Sequence, residues 1–157
     1  MLCYRIAPAI HNNPNNALSG IGGQHAEGRW HYMGFSVVYT GSTRSLAILE
    51  RLVNDSTDIL SINLSVATIL IPDNIKIMRI SESELPAGWN DHPYNQYTQK
   101  FGTDWLKKGE SAVIQLPSSV CIDEYNFIIN PEHPEAAKVT VVNCKPFTYP
   151  DRLAAKL

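Results

Sequence analysis

The order of apolar patterns constrains this chain more than any single motif, because seven strand-like runs are broken by only two helical ones. MLCYRIAP opens as a strand that ends at Pro8, and residues 8–28, rich in Asn, Gly, Pro and Ser, form a long loop. Loops of that length in compact domains are more often functional than idle. Ser36–Thr40 reads as a short strand dense in β-branched and aromatic residues. Ser42 or Thr43 can cap RSLAILERLVND, where Leu46, Leu49, Leu52 and Val53 recur at helical spacing. In SINLSVATILIP, Ile62, Leu64 and Val66 alternate with Asn63 and Ser65, which predicts a half-buried strand ended by Pro72. IKIMRI is a further strand and PAGWNDHPYN a loop. Residues 95–108 read as the second helix, with Tyr97, Phe101 and Trp105 on one face and Gly109 as its stop. SAVIQL, YNFIIN and KVTVVNCKPF complete the strands. Strict βαβ alternation is missing, so the pattern predicts an α+β domain with a mixed or largely antiparallel sheet, not a doubly wound one.

A chain of 157 residues fits one domain, 1–157, which buries about two-thirds of its unfolded surface. Its formal charge is -2, from 13 basic and 15 acidic residues with no basic stripe, which argues against unaided nucleic-acid binding. Three cysteines, Cys3, Cys121 and Cys144, include no C-x-x-C pair and suggest reduced thiols rather than a disulfide framework. The opening residues lack a signal peptide's basic start, and no run approaches the roughly 18 apolar residues of a membrane span. The expected location is the cytoplasm.

Several familiar chemistries lack their signatures. GIGG, at 20–23, has neither the Lys-Ser/Thr of a P-loop nor a strand-turn-helix setting, so its glycines read as flexible turn residues. The histidines show no metal-ligand spacing; His31, two residues from Arg29, could approach a ligand, but a surface role is the better reading. Four side chains stand out. Glu50 borders the apolar stripe of its helix, where a carboxylate must be paired, hydrogen-bonded or beside a polar cavity; a structural ion pair to Arg44 or Arg51 explains it equally well. Arg29 can grip phosphate with two prongs or simply stack on Trp30. Tyr39 sits in a β-prone run as a core tyrosine would, and Ser118 follows Pro117 where a turn or cap residue fits.

These residues fall within ordered blocks that resemble the RES domain, a family named for an arginine, a glutamate and a serine. The blocks are Gly28-Arg29-Trp30, Val37-Val38-Tyr39-Thr40, Ala47-Ile48-Leu49-Glu50, Leu116-Pro117-Ser118 and Asn126-Phe127-Ile128-Ile129-Asn130-Pro131 with His133-Pro134. Leu85 to Trp89 and Asp104-Trp105-Leu106 fit the family's middle section. The chain departs from the family at His31, where Asn is usual, and at Glu27, where Gly is usual. The resemblance implies an ADP-ribosyltransferase-like fold and a toxin of a type II toxin–antitoxin pair that breaks down NAD. It maps the site onto Arg29, Tyr39, Glu50 and Ser118, for both catalysis and NAD binding.

On that mapping, Glu50 would stabilise the oxocarbenium-like ribose centre, Arg29 would hold pyrophosphate or ribose, and Tyr39 would stack on nicotinamide. Ser118 would add a short polar contact. Nicotinamide leaves readily, so neither metal nor resident cofactor is expected, and NAD enters as substrate. Hydrolysis or phosphorolysis of NAD is the leading reading; ADP-ribose transfer to a macromolecule is the second and a non-catalytic binding module the third. An Xre-like helix-turn-helix antitoxin is the implied partner, placed against the loop before Arg29. Self-association into a homodimer stays open.

Overall fold

In the computed structural model, residues 1–54 and 62–154 are described. The predicted helix end at Asp55 and strand start at Ser61 lie outside them. Seven strands form one sheet in the order β4-β5-β6-β2-β1-β3-β7. These are β1 (Leu2–Pro8), β2 (Val38–Gly41), β3 (Leu64–Leu70), β4 (Ile77–Arg79), β5 (Val113–Pro117), β6 (Tyr125–Ile129) and β7 (Thr140–Phe147). Every neighbouring pair is antiparallel except β4–β5, which is parallel. The α+β expectation holds.

The two long helices are α2 (Arg44–Asn54) and α3 (Gln96–Lys108). Thr43 caps α2, its Oγ1 accepting from the Leu46 amide at 3.0 Å. Asn95 caps α3 through the Tyr97 and Thr98 amides, and Gly109 ends it at φ 58. Two short helices, α1 (Gly22–His25) and α4 (Asp151–Ala154), are the other α-helices among the described residues.

Four readings need correction. The 8–28 loop contains a 3-10 turn at Ala9–His11 and helix α1, so it is partly ordered as helix. Gly20 is a packing residue rather than a flexible one: at φ 66, a Cβ there would lie 2.7 Å from the Val37 nitrogen. On α3 the buried face carries Trp105 and Leu106, while Tyr97 is exposed; on α2, Leu46 and Ala47 are buried and Val53 is exposed. Strand β3 is buried on both faces, with Ser65 and Thr68 as inaccessible as Leu64 and Val66. The reason is its place between β1 and β7: Ala67 and Ile69 join one apolar cluster, Leu64 and Val66 another.

The distribution of these clusters creates the site. One face of the sheet carries a cluster that includes Cys3, Val38, Ala67, Ile69, Val113, Phe127 and Ile129. The opposite face carries two. Trp105 and Leu106 of α3 pack with Ile114, Leu116 and Ile128, while Ala47 of α2 packs with Ile6, Leu64, Val66 and Tyr149. Residues opposed across antiparallel strands share a face, so Tyr39, opposite Ile128, and Tyr4, opposite Gly41, lie on this side between the two clusters. Here β1 meets β2 at Tyr4 and Gly41, whereas β1 pairs β3 along its whole length. The sheet is seamed at β1–β2, and a cleft opens over the seam.

Candidate active site

The cleft has two adjoining lobes of about 560 and 400 Å³. Tyr39, Glu50, Asn54, Tyr94 and Asn126 line both. The larger lobe adds Tyr4, Arg5, Glu27, His31 and Arg51, among others; the smaller adds Arg29, Trp30, Asn90, His92 and Val53.

Glu50 reaches this shared wall from the second turn of α2. Its Oε1 accepts from Ser118 Oγ at 2.8 Å and from Asn126 Nδ2 at 2.6 Å. Charge-assisted bonds of this length fix the plane of the carboxylate. Both occupy one oxygen, which leaves Oε2 for a ligand. Ser118 is itself held, because its Oγ accepts the Val120 and Cys121 amides at 3.0 and 3.1 Å. It is buried and lines neither lobe, so it stands behind Glu50 as a support. Glu124 ties the loop after Ser118 to the start of α2, accepting from Thr43 Oγ1 at 2.6 Å and Ser42 Oγ at 3.4 Å.

Arg29 is set by a tight turn in which Gly28 and His31 exchange backbone hydrogen bonds of 3.1 and 3.3 Å. The turn sends Trp30 into the α3 cluster, edge-on to Phe101 at 6.2 Å, and presents Arg29 to the smaller lobe. Burying a tryptophan in this way anchors the turn by several kcal/mol, on the order of 3 to 5 by truncation. Arg29 Nη1 donates to the Trp89 and Asp91 carbonyls at 2.7 and 2.9 Å, and the guanidinium lies 5.9 Å from the Tyr94 ring centre. Burial lowers its pKa, opposed by Glu50, Tyr39, Asp91 and Tyr94.

Tyr39 is saturated at its hydroxyl. The oxygen accepts the Trp30 amide at 3.1 Å and bonds His31 Nδ1 at 2.8 Å, while His31 Nε2 lies 3.0 Å from the Ala26 carbonyl. A carbonyl only accepts, so Nε2 carries the ring hydrogen, and Tyr39 donates to Nδ1. Burial pushes the Tyr39 pKa up and the His31 pKa down. Both therefore remain neutral near pH 7. His31 is 3% exposed, so the surface reading of it is overturned. Gly28 makes this approach feasible, since a Cβ there would lie 2.9 Å from His31 Cε1 and 3.0 Å from the Tyr39 hydroxyl.

A family model described as the RES domain matches residues 2–151. The chain belongs to the RES-domain family. The chain is 30% identical over 155 residues to a "Prs ADP-ribosylating toxin" of Sphingobium sp., covering 98% of this chain and 96% of that one. It is 34% identical over 132 residues to a "Toxin Res" of Photorhabdus laumondii, covering 83% and 82%. Among solved structures, the M. tuberculosis MbcT-MbcA toxin-antitoxin complex contains a chain that matches at a TM-score of 0.76 and 15% identity, over 99% of this chain and 87% of that one. That likeness extends to the fold.

All four RES positions named from the sequence converge: Arg29, Tyr39 and Glu50 line the cleft, and Ser118 braces Glu50 from behind. The ion-pair alternative for Glu50 is not what holds its Oε1, and Arg44 lies instead over the Tyr4 ring at 5.2 Å. Three further residues shape the site in ways the sequence alone does not indicate. Asn126 sits inside the quoted Asn-Phe-Ile-Ile-Asn-Pro block, where it was assigned no role. His31 adjoins the Arg29 block. Arg5 interrupts the apolar opening strand, a charge in a buried run that is itself a signal. Its Nε donates to the Ala17 carbonyl at 3.3 Å, and burial together with the Arg51 charge pushes its pKa down to about 10. Among the described residues no group of His, Cys, Asp and Glu could hold a metal ion, and no helix is long and apolar enough to cross a membrane.

Proposed function

We propose that this RES chain is a toxin that breaks the nicotinamide–ribose bond of NAD and releases nicotinamide and an ADP-ribose product. The observation that carries the reading is Glu50, a carboxylate pinned through one oxygen at the junction of the two lobes. Departure of nicotinamide leaves positive charge on the ribose, as in glycoside cleavage, and a fixed carboxylate beside that centre stabilises it. Nicotinamide is cationic before cleavage and neutral afterwards, so no general acid is needed. Arg29 can bind a phosphate or ribose oxygen through the guanidinium hydrogens not used by Trp89 and Asp91. Arg5 and Arg51 line the larger lobe beside Glu27 and Glu50 and offer cationic donors to a pyrophosphate, and Tyr39 and Tyr94 offer rings for nicotinamide. Water or phosphate would take the ribose carbon.

A second reading, transfer of ADP-ribose to a macromolecule, is favoured by the Sphingobium relative's name. Labelled NAD separates the two. Free labelled product with no label on protein or nucleic acid supports the first; label retained on a macromolecule supports the second. If wild-type protein leaves NAD intact, or if Glu50→Ala and Arg29→Ala consume it as fast, both readings fail.

A cytoplasmic NAD-destroying enzyme harms its own cell, so an inhibitor must accompany it. An Xre-like antitoxin that covers the cleft is our proposed partner; the solved toxin-antitoxin complex that contains a chain of this fold supports an antitoxin, and the family resemblance implies its Xre type. Co-expression with an Xre-like antitoxin should restore growth, and the two proteins should co-purify. Growth arrest that persists in its presence excludes that partner.

A further inference from the structure

We infer that His31 is a positioning residue for Tyr39, accepting the hydrogen bond that the phenol donates, so that the ring walls both lobes while the hydroxyl is withheld from any ligand. The inference rests on the NAD reading for its functional sense and on geometry for its substance. Three fixed partners define the hydrogen-bond chain. The Ala26 carbonyl requires hydrogen on Nε2, Nδ1 is thereby left as an acceptor, and the Trp30 amide fills the other side of the phenol oxygen. The rings are 5.5 Å apart and tilted by 52°, so they meet through the hydrogen bond and not by stacking.

A tyrosine hydroxyl on a cleft wall is otherwise free to swing toward a ligand as donor or acid. Here that proton is spoken for, so Tyr39 meets its ligand as a flat ring, which suits the planar pyridinium of nicotinamide. Protonating His31 would reverse the arrangement. Hydrogen on Nδ1 would face an oxygen already accepting from Trp30, and the phenolic proton would have to turn away. The groups around His31 are Glu27 from its own loop and Tyr39 from β2, with Arg5 on β1, Glu50 and Arg51 on α2, and Tyr94 across the same lobe. Burial keeps the imidazole neutral against the pull of the Ala26 carbonyl and Glu27.

The test combines ring-nitrogen NMR of His31 with a mutant cycle read by nicotinamide release. The spectrum should show Nε2–H and an accepting Nδ1 at neutral pH, with the Nδ1 signal shifting in Tyr39→Phe. His31→Ala should lower kcat/KM about fivefold in the native background and less than about twofold in the Tyr39→Phe background, chiefly through KM. His31→Gln, which keeps an acceptor, should recover part of the loss and guards against a folding defect in the alanine variant. Equal losses in both backgrounds, or a protonated Nδ1 at neutral pH, would overturn the inference. If wild-type protein releases no nicotinamide, the NAD reading falls, and the ring spectrum alone still decides the role of His31.

Discussion

Ser118 and Glu50 are joined by a 2.8 Å hydrogen bond across 68 residues of sequence, and the serine that makes it lines neither lobe of the cleft. A serine in this position orients a carboxylate. Ser118→Ala should therefore lower kcat on NAD about tenfold or more, with KM nearly unchanged, because a hydrogen bond to a charged group is worth about 1.5–3 kcal/mol. Two amides, of Val120 and Cys121, also lose their acceptor, so the melting temperature should fall. A variant with unchanged kcat would show that Glu50 does not need this brace.

Asn126 holds the same oxygen from β6. Asn126→Asp keeps the shape but sets a second negative charge against Glu50, and should be more damaging than Asn126→Ala, by about tenfold in kcat/KM. Steady-state nicotinamide release measures both. Equal rates would mean the pair is electrostatically unimportant.

Arg5 is charged in a half-buried place with a backbone carbonyl as its hydrogen-bond partner. Arg5→Gln should raise KM for NAD about tenfold while leaving the ligand-free melting temperature unchanged or higher, since a desolvated charge is removed. Calorimetry and kinetics report the two effects separately. A lower melting temperature with unaltered KM would assign Arg5 to the fold alone.

The pH dependence of stability follows from His31, whose pKa in the folded chain lies below its ordinary value of 6.5. Above 6.5 the ring is neutral folded or unfolded, and its contribution is fully present. As pH falls below 6.5 the unfolded chain takes up the proton first, so stability is lost progressively toward the lower folded pKa. Denaturant titrations between about pH 5 and 7.5 should show this slope in wild type and a flatter one in His31→Asn. Identical slopes would remove His31 as its source.

Gly28→Ala tests the clearance beneath the same pair. A methyl group there lies 2.9 Å from His31 and 3.0 Å from the Tyr39 hydroxyl, so ring or turn must shift. Stability should fall by about 1–3 kcal/mol, with loss of NAD binding in titration calorimetry. Native affinity would show that the turn can yield.

Element order was legible from the chain because its patterns are local. The helical spacing around Leu46 and the Gly109 stop depend on residues within a turn or two of each other. Burial of Ser65 and Thr68 was not legible, since alternation assumes a wet face and β3 has none. Arg29, Tyr39, Glu50 and Ser118 could be named only through family blocks, each having an ordinary structural explanation when taken alone. Asn126 acquires its role from long-range geometry, meeting Glu50 over 76 residues, whereas His31 reaches Tyr39 and Arg5 the Ala17 carbonyl through the irregular loops beside them, contacts no periodicity encodes.

The seam between β1 and β2 has a consequence for the behaviour of the whole molecule. One bank of the cleft is built from β1 and α2, the other from β2, β6 and the loop ending at Tyr94. A molecule gripping Arg5 on one bank and Tyr39 on the other acts as a rivet through the weakest line of the sheet. Backbone amides along that line should exchange hydrogen faster than those between β1 and β3, and slow when the cleft is filled. Whatever seals the cleft, substrate or inhibitor, thereby also stiffens the fold that carries it.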